Sequence, residues 1–226
     1  MHRGLRISVV IPCYNEAGGI RAVLEQVPAY VDEVIVVDNN STDATGEVAR
    51  SLGARVVLEH RQGYGAAYKA GLPAASGDVI ATLDGDGTYP AQEIRRLVDA
   101  LEDGPLDFVS ACRFPLSDPR SMPWMNRLGN HVLTFATSLL FGRALRDSQS
   151  GMWVFRRLVL GRLRLTSDGM PFSEEIKLEA LSHPEVRFAE CPIPYAPRIG
   201  DVKLRRWRDG WENLAFLVRR RLGRAG

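Results

Sequence analysis

Cysteine is scarce in these 226 residues. The three present, Cys13, Cys112 and Cys191, are too few and too scattered for a disulfide framework or a four-cysteine zinc site. Histidine is hardly more abundant, and His2, His60, His131 and His183 have no metal-ligand spacing among themselves. No window approaches about 18 uninterrupted apolar residues, so no helix is expected to span a bilayer. The chain begins with neither a long apolar stretch nor a small-residue cleavage site, which argues against secretion. Internal repeats and low-complexity segments are missing too. The composition that remains, 45% hydrophobic and 8% aromatic, is too apolar for a disordered protein and sufficient for one substantial core.

The formal net charge is only +2, and it is unevenly spread. From Arg198 to Gly226 there are nine Arg or Lys against three Asp or Glu, whereas the preceding body is mildly acidic. A basic tail of this kind suits a phosphate-bearing surface. It carries no information on fold.

The first half alternates strand-like and helix-like pieces. Ile7–Ile11, Glu33–Val37, Arg55–Leu58 and Val79–Leu83 are short apolar runs rich in β-branched residues, suited to buried strands. Between them lie helical stretches: one expected to be capped by Asn15 and to run through about Val27, one capped within Ser41–Asp43 and ending near Leu52, and a small-residue helix over Gly65–Leu72. Strand, short loop and helix at about 25-residue intervals read as βαβ units. Further on, Ala91–Glu102 reads as a helix with Pro90 at its start, Asp107–Cys112 as a strand, and Trp124–Phe141 as a long helix interrupted by Gly129. Met152–Phe155 and Val186–Ala189 read as strands, with a helix over Ser173–Leu181 between them. The polar stretch holding Pro115, Pro119 and Pro123 is a candidate active-site loop.

Asp38 follows the second strand, and Asp84 and Asp86 follow the fourth. In open parallel sheets, ligands bind just beyond the strand C-termini, so the chemistry is expected there. Two carboxylates one residue apart can converge on a hard divalent ion that neutralises a diphosphate, although Asp-Gly is also a common turn dipeptide. Gly85 and Gly87 let the backbone approach a ligand. Asp38 to Asp43 holds six short polar residues, more than helix capping requires and suitable for a nucleotide base or ribose. The Gly63–Lys69 stretch has neither an ATPase phosphate-loop ending nor a dinucleotide fingerprint.

Taken in order, several stretches resemble the family 2 glycosyltransferases of GT-A fold, in particular the polyprenyl-phosphate and dolichyl-phosphate sugar transferases. They are Val10–Glu16, Val36–Thr45, Leu83–Pro90, Asp147–Gly151, Pro192–Tyr195, Arg198 and Lys203-Leu204. The resemblance implies an α/β fold with a mostly parallel mixed sheet and helices on both faces, residues 1–200 forming the catalytic domain and 201–226 a basic amphipathic helix and tail. It implies an inverting transfer from a nucleotide-diphosphate sugar (GDP-mannose or a UDP-sugar) to a polyprenyl phosphate, or to a small soluble acceptor. Pro12, Tyr14, Asn15, Glu16, Asp38, Asn40 and Lys69 would hold the nucleotide. Asp84, Gly85 and Asp86 would meet the diphosphate, with Mg2+ or Mn2+ on the two carboxylates. Arg113, Arg127, Arg198 and Lys203 would meet phosphates, and Asp147 would act at the acceptor, as general base if that acceptor is a neutral hydroxyl. Arg127 also reads as a helix-face residue, and Asp147 as a cap or turn. Thr88 stands where many dolichyl-phosphate mannosyltransferases carry glutamine, which leaves fewer protein ligands for the metal.

In the tail, Leu204, Trp207, Trp211, Leu214 and Val218 fall at helical spacing, with Arg205, Arg206 and Arg208 off the stripe and Arg219–Arg221 after it. Such a helix can lie on an anionic membrane or pack on the body. No nucleic-acid-binding motif accompanies the arginines, so no nucleic-acid partner is expected. The expected place is the cytoplasm, at the cytoplasmic face of the membrane.

Overall fold

The structure is a computed structural model that describes residues 1–203 and 205–223. Seven strands form one sheet: β1 (Ile7–Cys13), β2 (Glu33–Asp38), β3 (Arg55–Leu58), β4 (Val79–Thr82), β5 (Phe108–Cys112), β6 (Trp153–Arg156) and β7 (Phe188–Pro192). Their spatial order is β3-β2-β1-β4-β6-β5-β7, and β6 alone runs antiparallel to its neighbours. The helices are α1 (Ala17–Gln26), α2 (Thr45–Ser51), α3 (Tyr64–Gly71), α4 (Glu93–Asp103), α5 (Trp124–Phe141), α6 (Phe172–Ser182) and α7 (Arg206–Gly223). The sheet is thus mixed and mostly parallel, as expected, with helices on both faces.

Alternation along the strands divides the core in two. Ile7, Val9, Ile11 and Cys13 of β1 face Ile20 and Val23 of α1 and Ile94, Leu97, Val98 and Leu101 of α4. Val10, with Ile35, Ile80 and Phe155, faces α3 and α6 on the other side. There Tyr68 stacks on Phe172 at 5.4 Å, beside the fully buried Trp153. Each such side chain removed from water contributes about 1.5–3 kcal/mol.

Several local expectations are corrected. Asn15 does not cap α1; it sits at φ 53° and accepts from Thr42 N through Oδ1 at 2.8 Å. The backbone N–H groups at the start of α1 are met from the next loop, Glu16 N by Thr45 Oγ1 at 2.8 Å and Ala17 N by Asp43 Oδ2 at 3.2 Å. Gly129 does not interrupt α5, which runs unbroken through it. The helix after Pro90 begins at Glu93, two residues later than the pattern suggests. α7 lies against α5, and its Arg220 pairs with Glu175 and Glu179 of α6. Leu204 lies outside the described residues.

Candidate active site

β1 has β2 on one side and β4 on the other, so the chain leaves its strand ends in opposite directions and opens a crevice there. Three acidic segments converge on it: Glu16 beyond β1, Asp38 at the end of β2, and Asp84 and Asp86 beyond β4. The start of α1 presses so close that a Cβ on Gly19 would stand 2.5 Å from the Gly85 carbonyl oxygen. Gly85 itself has no room for a side chain, since a Cβ there would stand 2.5 Å from Cys13 Sγ.

Asp86 is 6% exposed, and each of its oxygens has its own partners. Oδ1 accepts from Thr88 N at 3.0 Å and Thr88 Oγ1 at 2.7 Å, so Thr88 orients the carboxylate. Oδ2 meets Arg198 Nη1 at 2.5 Å, and Arg198 Nη2 also pairs with Glu16. Burial pushes the Glu16 carboxyl up to about 7; the charge of Arg198 works against that rise. Asp84 is likewise pushed up to about 7, by burial and then by the neighbouring charge of Asp86. The Tyr64 hydroxyl donates to Asp84 Oδ1 at 3.1 Å, while the charges of Arg113 and Arg198 favour the ionised form.

A divalent ion fits this donor set. A Cβ on Gly151 would lie 3.2 Å from both Asp84 oxygens, so the glycine keeps that carboxylate open. Asp86 Oδ2 already faces a cationic group. Among the described residues no cluster of three or more His, Cys, Asp or Glu is arranged to hold a metal. The protein therefore offers two carboxylates, and phosphate oxygens and water would complete the shell, the usual habit of Mg2+ and similar ions.

Arg113, just beyond β5, is buried beside this crevice. Its Nε and Nη2 donate to Asp147 Oδ2 and Oδ1, each at 2.8 Å, and its backbone N also donates to Oδ2. Burial opposes both charges, yet the pairing keeps Asp147 ionised and Arg113 protonated. Asp147 is wholly buried. Glu190 Oε1 accepts from Asp147 N at 3.0 Å, and Lys177 Nζ donates to the carbonyls of Asp147 and Ser148 at 2.8 Å each. The Arg113 guanidinium lies over the Tyr195 and Phe114 rings, 5.3 and 5.7 Å from their centroids.

Beyond Phe114 opens a cavity of about 590 Å³, lined by Phe114 to Leu116, Pro119, Arg127, His131 and Arg146. It has three basic groups and no acidic one. The Phe114 and His131 rings are 4.5 Å apart.

The remaining predicted residues are distributed as follows. Asp38 Oδ1 accepts from Ser41 N at 3.0 Å, and its carboxylate lies beside Gly46. Pro12 is half-buried at the end of β1, while Tyr14 and Asn40 are exposed on the rim. Lys69 is half-buried, and its Nζ pairs with Asp168 and donates to the Thr166 carbonyl at 3.0 Å. Lys203 is exposed, close enough for its charge to act on Glu16 and Asp43. Arg113 and Arg198 flank the acidic pair, whereas Arg127 lies across Phe114 in the cavity. Sequence reasoning missed Tyr64, Lys177, Glu190, His131 and Arg146. Only His131 had a signal, being four residues after Arg127 and so on the same helical face.

The sequence profile described as glycosyl transferase family 2 matches residues 8–164. The chain belongs to that family. A low-salt glycan biosynthesis hexosyltransferase of Haloferax volcanii is 35% identical over 94% of this chain and 53% of its own length. The chain thus spans about half of that relative. A dolichyl-phosphate hexose transferase of the same organism is 36% identical over 88% of this chain and 86% of that one. Among solved structures, glucosyl-3-phosphoglycerate synthase of Mycobacterium tuberculosis with Mn2+, UDP-glucose and phosphoglyceric acid superposes with a TM-score of 0.74. It is 26% identical and covers 96% of this chain and 80% of that one. Family and fold together make this chain a family 2 glycosyltransferase of the GT-A type, and Mn2+ is the ion present in that solved relative. No helix among the described residues is long and apolar enough to cross a membrane.

Proposed function

We propose that the protein transfers a sugar, with inversion, from a nucleoside-diphosphate sugar to an acceptor that carries a phosphate group. The observation behind this reading is the acid-free cavity of Arg127, His131 and Arg146, which Phe114 separates from the Arg113 guanidinium lying over its ring. The crevice side holds the donor: Asp38 and the β1 loop face the nucleoside, and Asp84 and Asp86 face the diphosphate. A bound Mg2+ or Mn2+ would neutralise charge developing on the departing β-phosphate oxygen. Arg113 and Arg198 add positive charge there, and Asp147 aims Arg113. As the sugar C1–O bond breaks, its electron pair leaves with the diphosphate and an acceptor oxygen closes on C1 from the opposite face. An acceptor phosphate oxygen is already anionic near neutral pH, its second pKa being about 6, and needs no base. This agrees with Asp147 being spent on Arg113.

Two sources of that phosphate are in view. A small soluble acid is the first, in line with the phosphoglyceric acid in the solved relative. A polyprenyl phosphate is the second, in line with the dolichyl-phosphate relative, and one observation favours it. Trp124, Leu128, Val132, Phe135 and Leu139 form an exposed apolar stripe along α5, and Trp207, Trp211, Val218 and Leu222 form another along α7. Exposed arginines 205, 208, 219 and 221 accompany them. Such a surface suits an anionic membrane at the cytoplasmic face.

The test incubates the protein and Mn2+ with UDP- and GDP-sugars. One arm offers phosphoglyceric acid in water, the other a polyprenyl phosphate in vesicles. Products are identified by mass spectrometry and their anomeric configuration by NMR. Arg127→Gln should raise the acceptor KM in whichever arm is active. Transfer only to acceptors without phosphate, or retention at C1, would overturn the reading.

A further inference from the structure

Both oxygens of the Asp86 carboxylate are engaged, one by its own turn and one by a distant cation. Oδ1 is taken by both donors of Thr88, and Oδ2 is where the Arg198 guanidinium sits. The same guanidinium reaches Glu16 with Nη2 and the Asp201 carbonyl with Nε, at 2.8 Å for the latter. Backbone bonds hold its segment in place: Ala196 N donates to the Thr88 carbonyl at 2.9 Å, and Ile199 N to the Asp86 carbonyl at 2.8 Å. Arg198 therefore forms ion pairs with two carboxylates that are buried side by side.

We propose that Arg198 is an exchangeable resident cation of the metal site. A divalent ion on Asp86 Oδ2 must displace the guanidinium, because two positive groups cannot share that oxygen without strong repulsion. The displaced guanidinium needs another anion, and the nucleoside diphosphate supplies one with bidentate geometry. Metal and nucleotide then assist each other's binding, while either one alone competes with an ion pair the protein already has. The consequence is a site that closes on metal and donor together. This inference rests on Asp86 being a metal ligand.

The test measures Mn2+ binding from the electron paramagnetic resonance signal of the free ion, with and without UDP (GDP as a parallel arm). The proteins compared are wild type, Arg198→Gln, Arg198→Lys and Asp86→Asn. Wild type should bind Mn2+ weakly alone and about tenfold or more tightly with UDP. Arg198→Gln should bind Mn2+ alone about tenfold more tightly than wild type and gain less from UDP, whereas Arg198→Lys should keep most of the coupling. Mn2+ alone should raise the melting temperature of Arg198→Gln and leave that of wild type nearly unchanged. Circular dichroism verifies that each variant is folded. If Arg198→Gln binds Mn2+ alone no more tightly than wild type, or if neither UDP nor GDP adds anything in wild type, the resident-cation role is wrong. If Asp86→Asn binds Mn2+ and UDP as wild type does, the metal-site reading itself fails, a separate and recognisable outcome.

Discussion

Asp86 and Asp147 are both buried carboxylates paired with an arginine, but their partners differ in exposure, and that difference decides what each substitution does. Arg198 keeps 24% of its side chain in solvent, so it can rehydrate when its partner is neutralised. Asp86→Asn is expected to lower kcat about 100-fold or more while changing unfolding free energy by about 1 kcal/mol or less. Paired kinetic and urea-unfolding measurements test both halves; full activity in the variant, or in EDTA, would remove Asp86 from the site. Arg113 has only 7% of its side chain exposed, and among the described residues Asp147 is the carboxylate it pairs with. Asp147→Asn leaves that charge buried without its counter-ion, and a loss of about 3–5 kcal/mol in unfolding free energy is expected. An unchanged denaturation midpoint would show that Asp147 is not the residue holding Arg113.

At the scale of elements, α5 and α7 each turn one face to the body and another outward. Thr134 and Thr137 are the buried positions of α5, and Asn213 and Leu217 are buried on α7. On the outward faces, Phe135 is 69% and Trp211 67% exposed. Substituting both by Gln should change stability by about 0.5 kcal/mol or less per site, because neither is packed in a core. If the acceptor is a lipid phosphate, the same double variant should sediment less with anionic vesicles than wild type does. Failure of wild type to sediment at low salt would direct attention to the soluble acceptor. A second element-scale prediction concerns the turn into β6. Gly151→Ala places a methyl against the Tyr64 hydroxyl and 3.2 Å from both Asp84 oxygens. It should weaken Mn2+ binding in the presence of UDP, measured by titration, without changing the far-ultraviolet circular dichroism.

For the whole molecule, the pH dependence of stability carries the imprint of a buried group outside the crevice. Glu174 on α6 is fully buried beside Gln149, and burial pushes its carboxyl from 4.5 up to about 8. Between those values the folded protein keeps a proton that the unfolded chain has released. Its contribution to stability is full below about 4.5 and is lost as pH rises through about 8. Lys177, lowered by burial from 10.5 to about 8, acts in a separate window: there the unfolded chain holds the extra proton, so stability rises with pH from about 8 to 10.5. Urea unfolding of wild type and Glu174→Gln at pH 5.5 and 7.5 tests this, on the expectation that the variant loses much of the decline between the two. An identical slope in both proteins would mean that Glu174 is ionised in the folded state.

The sequence by itself determined the strands, the order of strand and helix, and the place of the acidic residues. Ile7–Ile11 and Val79–Leu83 are legible because a buried strand needs only a few consecutive β-branched or apolar residues, and Asp84 and Asp86 follow at once. Those signals act over a handful of positions. The tertiary structure decided the rest. Nothing near Met152–Phe155 says that β6 runs antiparallel between β4 and β5, since direction and neighbours come from the sheet as a whole. Asn15 has the right chemistry for a cap, yet the loop of Ser41 to Thr45 does the work because β1 and β2 are adjacent. Lys69 turns toward Asp168, which is 99 positions away in the chain. Above all, Arg198 meets Asp86 across 112 positions, and Arg113 meets Asp147 across 34. An ion pair is set by distance in space, and only the folded sheet brings those charges together.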